Sequence, residues 1–376
     1  MSELNLRNTR NDFRRQLLTT VSALALAGFV SAHDARADDD SDRPTLWIEL
    51  GGQFERDVGS QSFFEPPFFA HATSVDLAAM TDAQKAPQYS IGGEGKITFV
   101  PEGTNWVFSA AALYGRANAT RHLHHESAGL PQQYFTVSGQ PFAHYSPVIK
   151  VFGDGQGTND ASHLIVDFRA GKDLGLGMFG GSSVISAGVR FAQFTSKTDL
   201  SLHARPRDKV TTKYKPGKYR IYTNARHTYT AGFYAKRNTH AIGPSLSWDA
   251  SLPVAGSDNG MAVLLNWGVN GAVLFGRQRV QSHHQATGQY LKGFTSQGPV
   301  SSYAPGPSPH NRARTVTIPN FGGFAGLTFK YADAKLALGY RADFFFNAMD
   351  EGIDTRKSST LGFYGPFATI SFGVGG

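Results

Sequence analysis

Hydrophobic and polar residues alternate one by one along much of this chain. The clearest stretch is 260–276, GMAVLLNWGVNGAVLFG: Val263, Leu265, Trp267, Val269, Val273 and Phe275 fall on one face, and Asn266, Gly268, Asn270 and Ala272 on the other. A period of two is the mark of a β-strand, whose side chains point to opposite faces in turn. Four glycines and two asparagines in the same stretch argue against a lipid-facing helix. The alternation recurs at 46–55, 89–99, 163–170, 240–252, 321–331 and 336–346, and less sharply at 106–117, 184–194 and 363–373. About ten strands are predicted, within a range of eight to twelve.

The joints between them fall into two classes. Short ones lie at Pro101–Asn105, Gly175–Ser182, Pro253–Gly260 and Ala332–Ala334. Long ones cover 58–87, 119–161, 197–238 and 283–315, with a shorter one at 350–360. An even strand number with short turns at one end and long loops at the other is the layout of an outer-membrane barrel. The expected fold is therefore all-β: a closed antiparallel transmembrane β-barrel with short periplasmic turns and long extracellular loops. Closure follows because an open sheet edge has nothing to hydrogen-bond to in lipid.

The first 37 residues read as a cleavable export signal. Arg7, Arg10, Arg14 and Arg15 precede an apolar run from Leu17 to Ala32, and Ala35-Arg36-Ala37 forms a small-x-small cleavage site. The barrel domain is then 38–376, exported through the periplasm to the bacterial outer membrane. Five basic and three acidic residues leave with the signal, so the net charge of +7 becomes +5. The chain has no cysteine, which excludes disulfides, thiol nucleophiles and cysteine-ligated metals. Glycine numbers 42 and phenylalanine 28 of 376 residues, and charged residues are only 17%, a composition at home in a membrane barrel.

If the apolar face meets lipid, the other lines the lumen. The inward charges are Glu49, Glu94, Asp167, Asp249 and Asp343 against Lys96, Arg169, Arg190, Lys330 and Arg341. A balanced set suits ion pairing across the interior. Gly51, Gly92, Gly243, Gly268 and Gly339 share that face and leave room for a narrow pore. A barrel of eight strands is just filled by its side chains, so a ten-strand lumen is either constricted or packed shut.

The stretch 197–238 carries eleven basic residues against two acids. Arg205, Arg207, Lys209, Lys213, Lys215, Lys218 and Arg220 form an anion-binding loop suited to the phosphates of lipopolysaccharide. An exported protein rarely meets nucleic acid, so none is expected as a partner. His122, His124, His125, His283 and His284 read as exposed loop residues rather than metal ligands, since no carboxylate at a recognisable spacing completes a site. His163, His227 and His240 lie near strand ends, where barrel hydrolases place a base, but no nucleophile motif accompanies them. No catalytic residue, cofactor or metal is expected. The segments FFEPPFF (63–69) and YAPGPSPH (303–310) read as loops at the mouth, equally compatible with a plug, a lid or an adhesive tip.

From His240 onward the chain resembles a known family. HAIGPSLSWDASLPV (240–254), GAVLFGRQ (271–278), GYRADFFFNAMDEGIDTRK (339–357) and GFYGPFATISFG (362–373) are similar to the pore-forming outer-membrane proteins of the Legionella major outer membrane protein type. The resemblance is strongest over the last third of the chain. It implies an outer-membrane pore former that passes ions or small solutes, with no catalytic residues. The alternative is an occluded surface barrel whose basic loops bind lipopolysaccharide or other anions; an outer-membrane hydrolase is the third reading. Outer-membrane lipid and the barrel-assembly machinery are the implied partners. Many such barrels end on an aromatic residue read during assembly; here Phe372 is followed by Gly373-Val374-Gly375-Gly376.

Overall fold

Where the sequence alternates, the chain is extended. A computed structural model describes residues 45–59, 83–85, 89–127, 134–137, 140–143, 151–175, 181–205, 210–212, 221–223, 226–256, 261–291 and 310–374. The export signal and the segments 63–69 and 303–309 lie outside the described residues. Ten strands form the wall: β1 (Leu46–Val58), β2 (Tyr89–Phe99), β3 (Trp106–Ser127), β4 (Val151–Asp173), β5 (Ser182–Arg205), β6 (Arg226–Gly256), β7 (Met261–Leu291), β8 (His310–Tyr331), β9 (Ala334–Asp350) and β10 (Ser358–Val374). Each pairs antiparallel with its neighbours in sequence. The pairing of β1 with β10, from Leu46↔Val374 to Val58↔Gly362, closes the barrel. Two small hairpins, Tyr134–Val137 with Gln140–Ala143 and Val210–Thr212 with Ile221–Thr223, stand outside it.

The outer surface carries an apolar band. Leu50, Ile97, Phe168, Leu246, Val269, Leu327, Leu338 and Ile370 all point outward and are exposed. Aromatic residues mark its borders: Trp106 and Tyr331 near the short turns, Tyr89, Tyr114 and Phe275 toward the loops. On β3, Trp106 to Tyr114 covers about 26 Å of strand, or about 20 Å of height at the usual tilt, close to the ~25 Å band of transmembrane barrels. Just above Tyr114, Arg116 grips Asp160 of β4 through two bonds of 2.9 and 3.2 Å on the outside, an ion pair that belongs in water rather than lipid.

The strands run well past this band, which corrects the loop assignments. Much of 119–161, 197–238 and 283–315 is strand, and β6 and β7 are 31 residues each. His122, His124 and His125 lie in β3, and His283 and His284 in β7, not in loops. Above the band the two faces exchange character. On β5, Leu200, Leu202 and Ala204 turn inward and are buried, while Lys197, Asp199, Ser201 and His203 face outward. A barrel wall surrounded by water needs a polar exterior and an apolar interior, so the lipid rule no longer applies there.

Candidate functional site

The lumen is built in layers, because each strand contributes every second residue to it. At the turn end lies a vestibule of about 320 Å³, lined by Glu49, Lys96, Asp249, Asn266, Lys335 and Arg341 among others. Lys335 Nζ sits 3.4 Å from the centre of the Trp47 ring, a cation–π contact.

The next layer is charged. Arg190 of β5 donates from Nε and Nη2 to the two oxygens of Asp167 on β4, at 2.7 and 2.9 Å. Its Nη1 donates to Asn270 Oδ1 at 2.7 Å, contacts Asn320, and lies 3.9 Å from Asp343. Arg169 donates to Asp167 at 2.8 Å, and Arg341 donates to Glu94 across the lumen at 2.6 Å. Only about 90 Å³ of space remains among these groups.

An apolar layer follows toward the loop end. Phe194 packs edge-on against Phe345 at 4.8 Å between ring centres, and Phe363 lies 6.1 and 6.3 Å from the two. Leu113, Ile165, Leu274 and Ile318 complete the cluster, all buried. A bulge helps to close it. Asn347 has a left-handed backbone (φ 59°), and the β9–β10 register shifts between Phe345 and Met349. The extra residue turns Ala348, Met349 and Asp350 all into buried positions, the re-aiming that bulges provide.

Above this layer Glu55 and His163 face each other, both buried, with His163 Nε2 3.4 Å from Glu55 Oε1. Ser90 Oγ lies 2.8 Å from Glu55 Oε2 and 3.0 Å from Asp57 Oδ1, and Phe363 covers the imidazole at 3.9 Å. The adjoining cavity is about 20 Å³, room for one water and not for a substrate. His240 faces outward, exposed, and the side chain of His227 lies outside the described residues. A second apolar core, with Leu200, Leu202, Phe233 and Ala235, fills the upper barrel. Ala83, from the segment joining β1 and β2, is buried within it. The Asn159 amide holds that segment by bonds to the Gln84 and Lys85 carbonyls, both 3.3 Å.

Eight of the charges expected to face inward line the constricted layer together: Glu94, Lys96, Asp167, Arg169, Arg190, Asp249, Arg341 and Asp343. Glu49 lines the vestibule. Lys330 stands opposite Lys335 near the turn-end rim and lines neither cavity. The inward glycines do not keep the lumen open. A Cβ on Gly268 would strike Asp249 and Phe324, on Gly339 the Phe367 ring, and on Gly92 the Glu55 carboxylate. Their small size admits large neighbours instead of water. Of the basic loop, Arg205 ends β5, and Arg207, Lys209, Lys213, Lys215, Lys218 and Arg220 lie outside the described residues.

The sealing aromatics were missed by the sequence reading, though strand parity holds their signal. Phe345 shares the face of Arg341 and Asp343, and Phe194 that of Arg190. An aromatic on the polar face of a membrane strand is the signature of a filled lumen. Lys335 was missed although it shares the face of Arg341 and Asp343, because it precedes the first apolar residue of the alternation, Leu336.

These features define a closed transmembrane barrel of the outer-membrane type with a packed lumen. No family model matches the chain, and no curated protein matches it. Solved barrels align over most of its length. LpxR from Salmonella typhimurium is 10% identical over 87% of this chain and 99% of that one, with a TM-score of 0.24. The transport unit of the autotransporter AIDA-I from Escherichia coli is 7% identical over 93% and 97%, with a TM-score of 0.21. The TodX deltaS2S3 mutant monoaromatic hydrocarbon channel is 8% identical over 89% and 91%, with a TM-score of 0.22. At these scores the likenesses carry no argument about function, which rests on the geometry of the lumen.

Proposed function

We propose that this protein is a barrel of the bacterial outer membrane that is shut at rest and acts at its loop end, outside the cell. The observation behind this is the direct succession of two sealed layers, the Arg190–Asp167–Asp343 group and the Phe194–Phe345–Phe363 cluster. Passage of ions or small solutes, the expectation that the family resemblance raised, requires both layers to part. Charged groups in the first are held by short bonds, and the second is packed from apolar side chains. The strands above the lipid band form a rigid, water-facing collar, and the basic stretch between β5 and β6 leaves from its rim. That stretch suits lipopolysaccharide phosphates or other surface anions.

The test is current across planar lipid bilayers. Wild-type protein should insert without steady conductance. The triple variant Phe194→Ala, Phe345→Ala, Phe363→Ala should stay silent as well, because the charged layer and the upper core still close the path. A steady ohmic step from the wild type would sink the proposal and return the protein to the porins.

A further inference from the structure

We propose that His284, His310 and Asp354 form a binding site for a divalent transition-metal ion of the zinc class at the loop end of the barrel. The three residues come from three parts of the chain: His284 from β7, His310 from the start of β8, and Asp354 from the turn between β9 and β10. Their ligand atoms all lie within 4.8 Å of one another. His284 Nε2 is 2.8 Å from Asp354 Oδ1, and His310 Nε2 is 3.7 Å from the same oxygen. Ligands about 2.0–2.1 Å from a tetrahedral zinc ion stand about 3.3 Å apart, so the observed spacings bracket what the ion requires.

The strands deliver the two imidazoles to one side. His310 pairs with Ser282 across the β7–β8 ladder, and His284 lies two residues beyond Ser282 on the same face. Their rings stand 6.1 Å apart, inclined by 23°. The carboxylate is delivered by a turn that is itself fastened down. Asp350 accepts hydrogen bonds from the backbone N–H groups of Gly352 and Lys357 at 3.1 and 3.0 Å, and from Arg312 at 2.8 and 3.2 Å. The Ile353 carbonyl accepts from Ser282 Oγ at 3.1 Å and Arg312 Nη1 at 2.7 Å. Asp354 follows directly, so an ion would find its third ligand in place rather than having to order it.

Two imidazoles and one carboxylate select zinc, cobalt, nickel or copper over calcium and magnesium, which want six or more oxygens. His284 is buried while His310 and Asp354 are more than half exposed, so the fourth position opens to the outside. The competing account is an aspartate–histidine hydrogen bond with no metal. That account has no use for His310.

The mature chain, refolded without an affinity tag and stripped of metal, is titrated with zinc chloride against a chromophoric chelator. One ion per chain should bind. His310→Ala and Asp354→Asn should each weaken binding by roughly a hundredfold, at the top of the ~10–100-fold range typical of lost supporting contacts. Both residues are exposed, so these variants fold where His284→Ala, at a buried site, need not. Cobalt in place of zinc should give the visible absorption of a tetrahedral site, lost in His310→Ala. Among the described residues, His122 and His124, near Asp154 on the outer wall at 2.6 and 4.0 Å, are the rival donors. His122→Ala with His124→Ala should leave binding intact. No zinc bound, zinc bound equally well by His310→Ala, or zinc lost with His122 and His124 would each overturn the proposal.

Discussion

Arg190→Met tests whether the charged layer is a closed network or a set of hydrated groups. Arg190 is 3% exposed, and its guanidinium makes a two-pronged bond to Asp167 while lying within 3.9 Å of Asp343. The layer holds Lys96, Arg169, Arg190 and Arg341 against Glu94, Asp167, Asp249 and Asp343, so removing one arginine leaves a carboxylate surplus in a constricted space. Methionine fills most of the volume and satisfies none of the acceptors. Breaking a buried pair from one side costs about 3–5 kcal/mol. Arg190→Lys should recover little, since an ammonium cannot reproduce the fork. Adding Asp167→Asn to Arg190→Met should recover part of the loss, because the surplus charge goes too. The measurement is urea unfolding in detergent or lipid vesicles, followed by tryptophan fluorescence and by heat-dependent gel mobility. A cost for Arg190→Met below about 1 kcal/mol, the range of exposed pairs, would refute the closed network. So would a double variant as costly as the two single losses combined.

Leu338→Arg and Val269→Arg, on the lipid face, should each cost about 2–4 kcal/mol in folding into lipid, and Asn266→Arg, facing the vestibule, should cost less; equal costs would void the inside–outside assignment. Trypsin on intact cells should cut between Arg205 and Arg226 and spare Arg237, which is 2% exposed inside β6; cleavage confined to Lys330 and Lys335, which flank the Ala332–Ala334 turn, would mean that the short turns face outward. Gly322→Ala should destabilise by about 1–3 kcal/mol because its Cβ would strike the Asp343 carboxylate, whereas Gly93→Ala, with open space around it, should be nearly neutral in the same urea assay.

How much of this was legible depends on the solvent around each stretch of wall. Within the lipid band every outward position must be apolar, so Leu336, Leu338 and Tyr340 announce their face and place Arg341 and Asp343 on the other. The ten strands, their order and most inward charges follow from that contrast. Above the band the contrast reverses. Lys197 and Asp199 face water while Leu200 and Leu202 pack inside, and the density of charge there reads as loop. The bulge at Asn347 has no local sequence signal, since asparagine is only one of the residues that tolerate a left-handed backbone. The trio at the mouth was illegible for a different reason. His284 was noticed, but its carboxylate arrives 70 residues later from a turn on another hairpin. Only the curl of the four consecutive strands β7 to β10 brings them together.

The reversal of faces also explains why the lumen is sealed where it is. In lipid the wall turns its polar residues inward, and these must pair because water is scarce in a barrel of this width. In water the wall turns its apolar residues inward, and these pack into a core. The two regimes meet at one level, where Arg190 lies four residues from Phe194 on the same face of β5 and Asp343 lies two residues from Phe345 on β9. A charge network and an aromatic layer therefore adjoin as a consequence of wall chemistry. Among the described residues, the layers come almost entirely from the wall strands, with Ala83 in the upper core and Ile353 packed against it from the joining segments. A plug domain can leave its barrel intact when it moves, but a seal built from wall side chains cannot part without breaking the packing that stabilises the wall. That coupling is what favours the loop end, rather than the lumen, as the place where this protein acts.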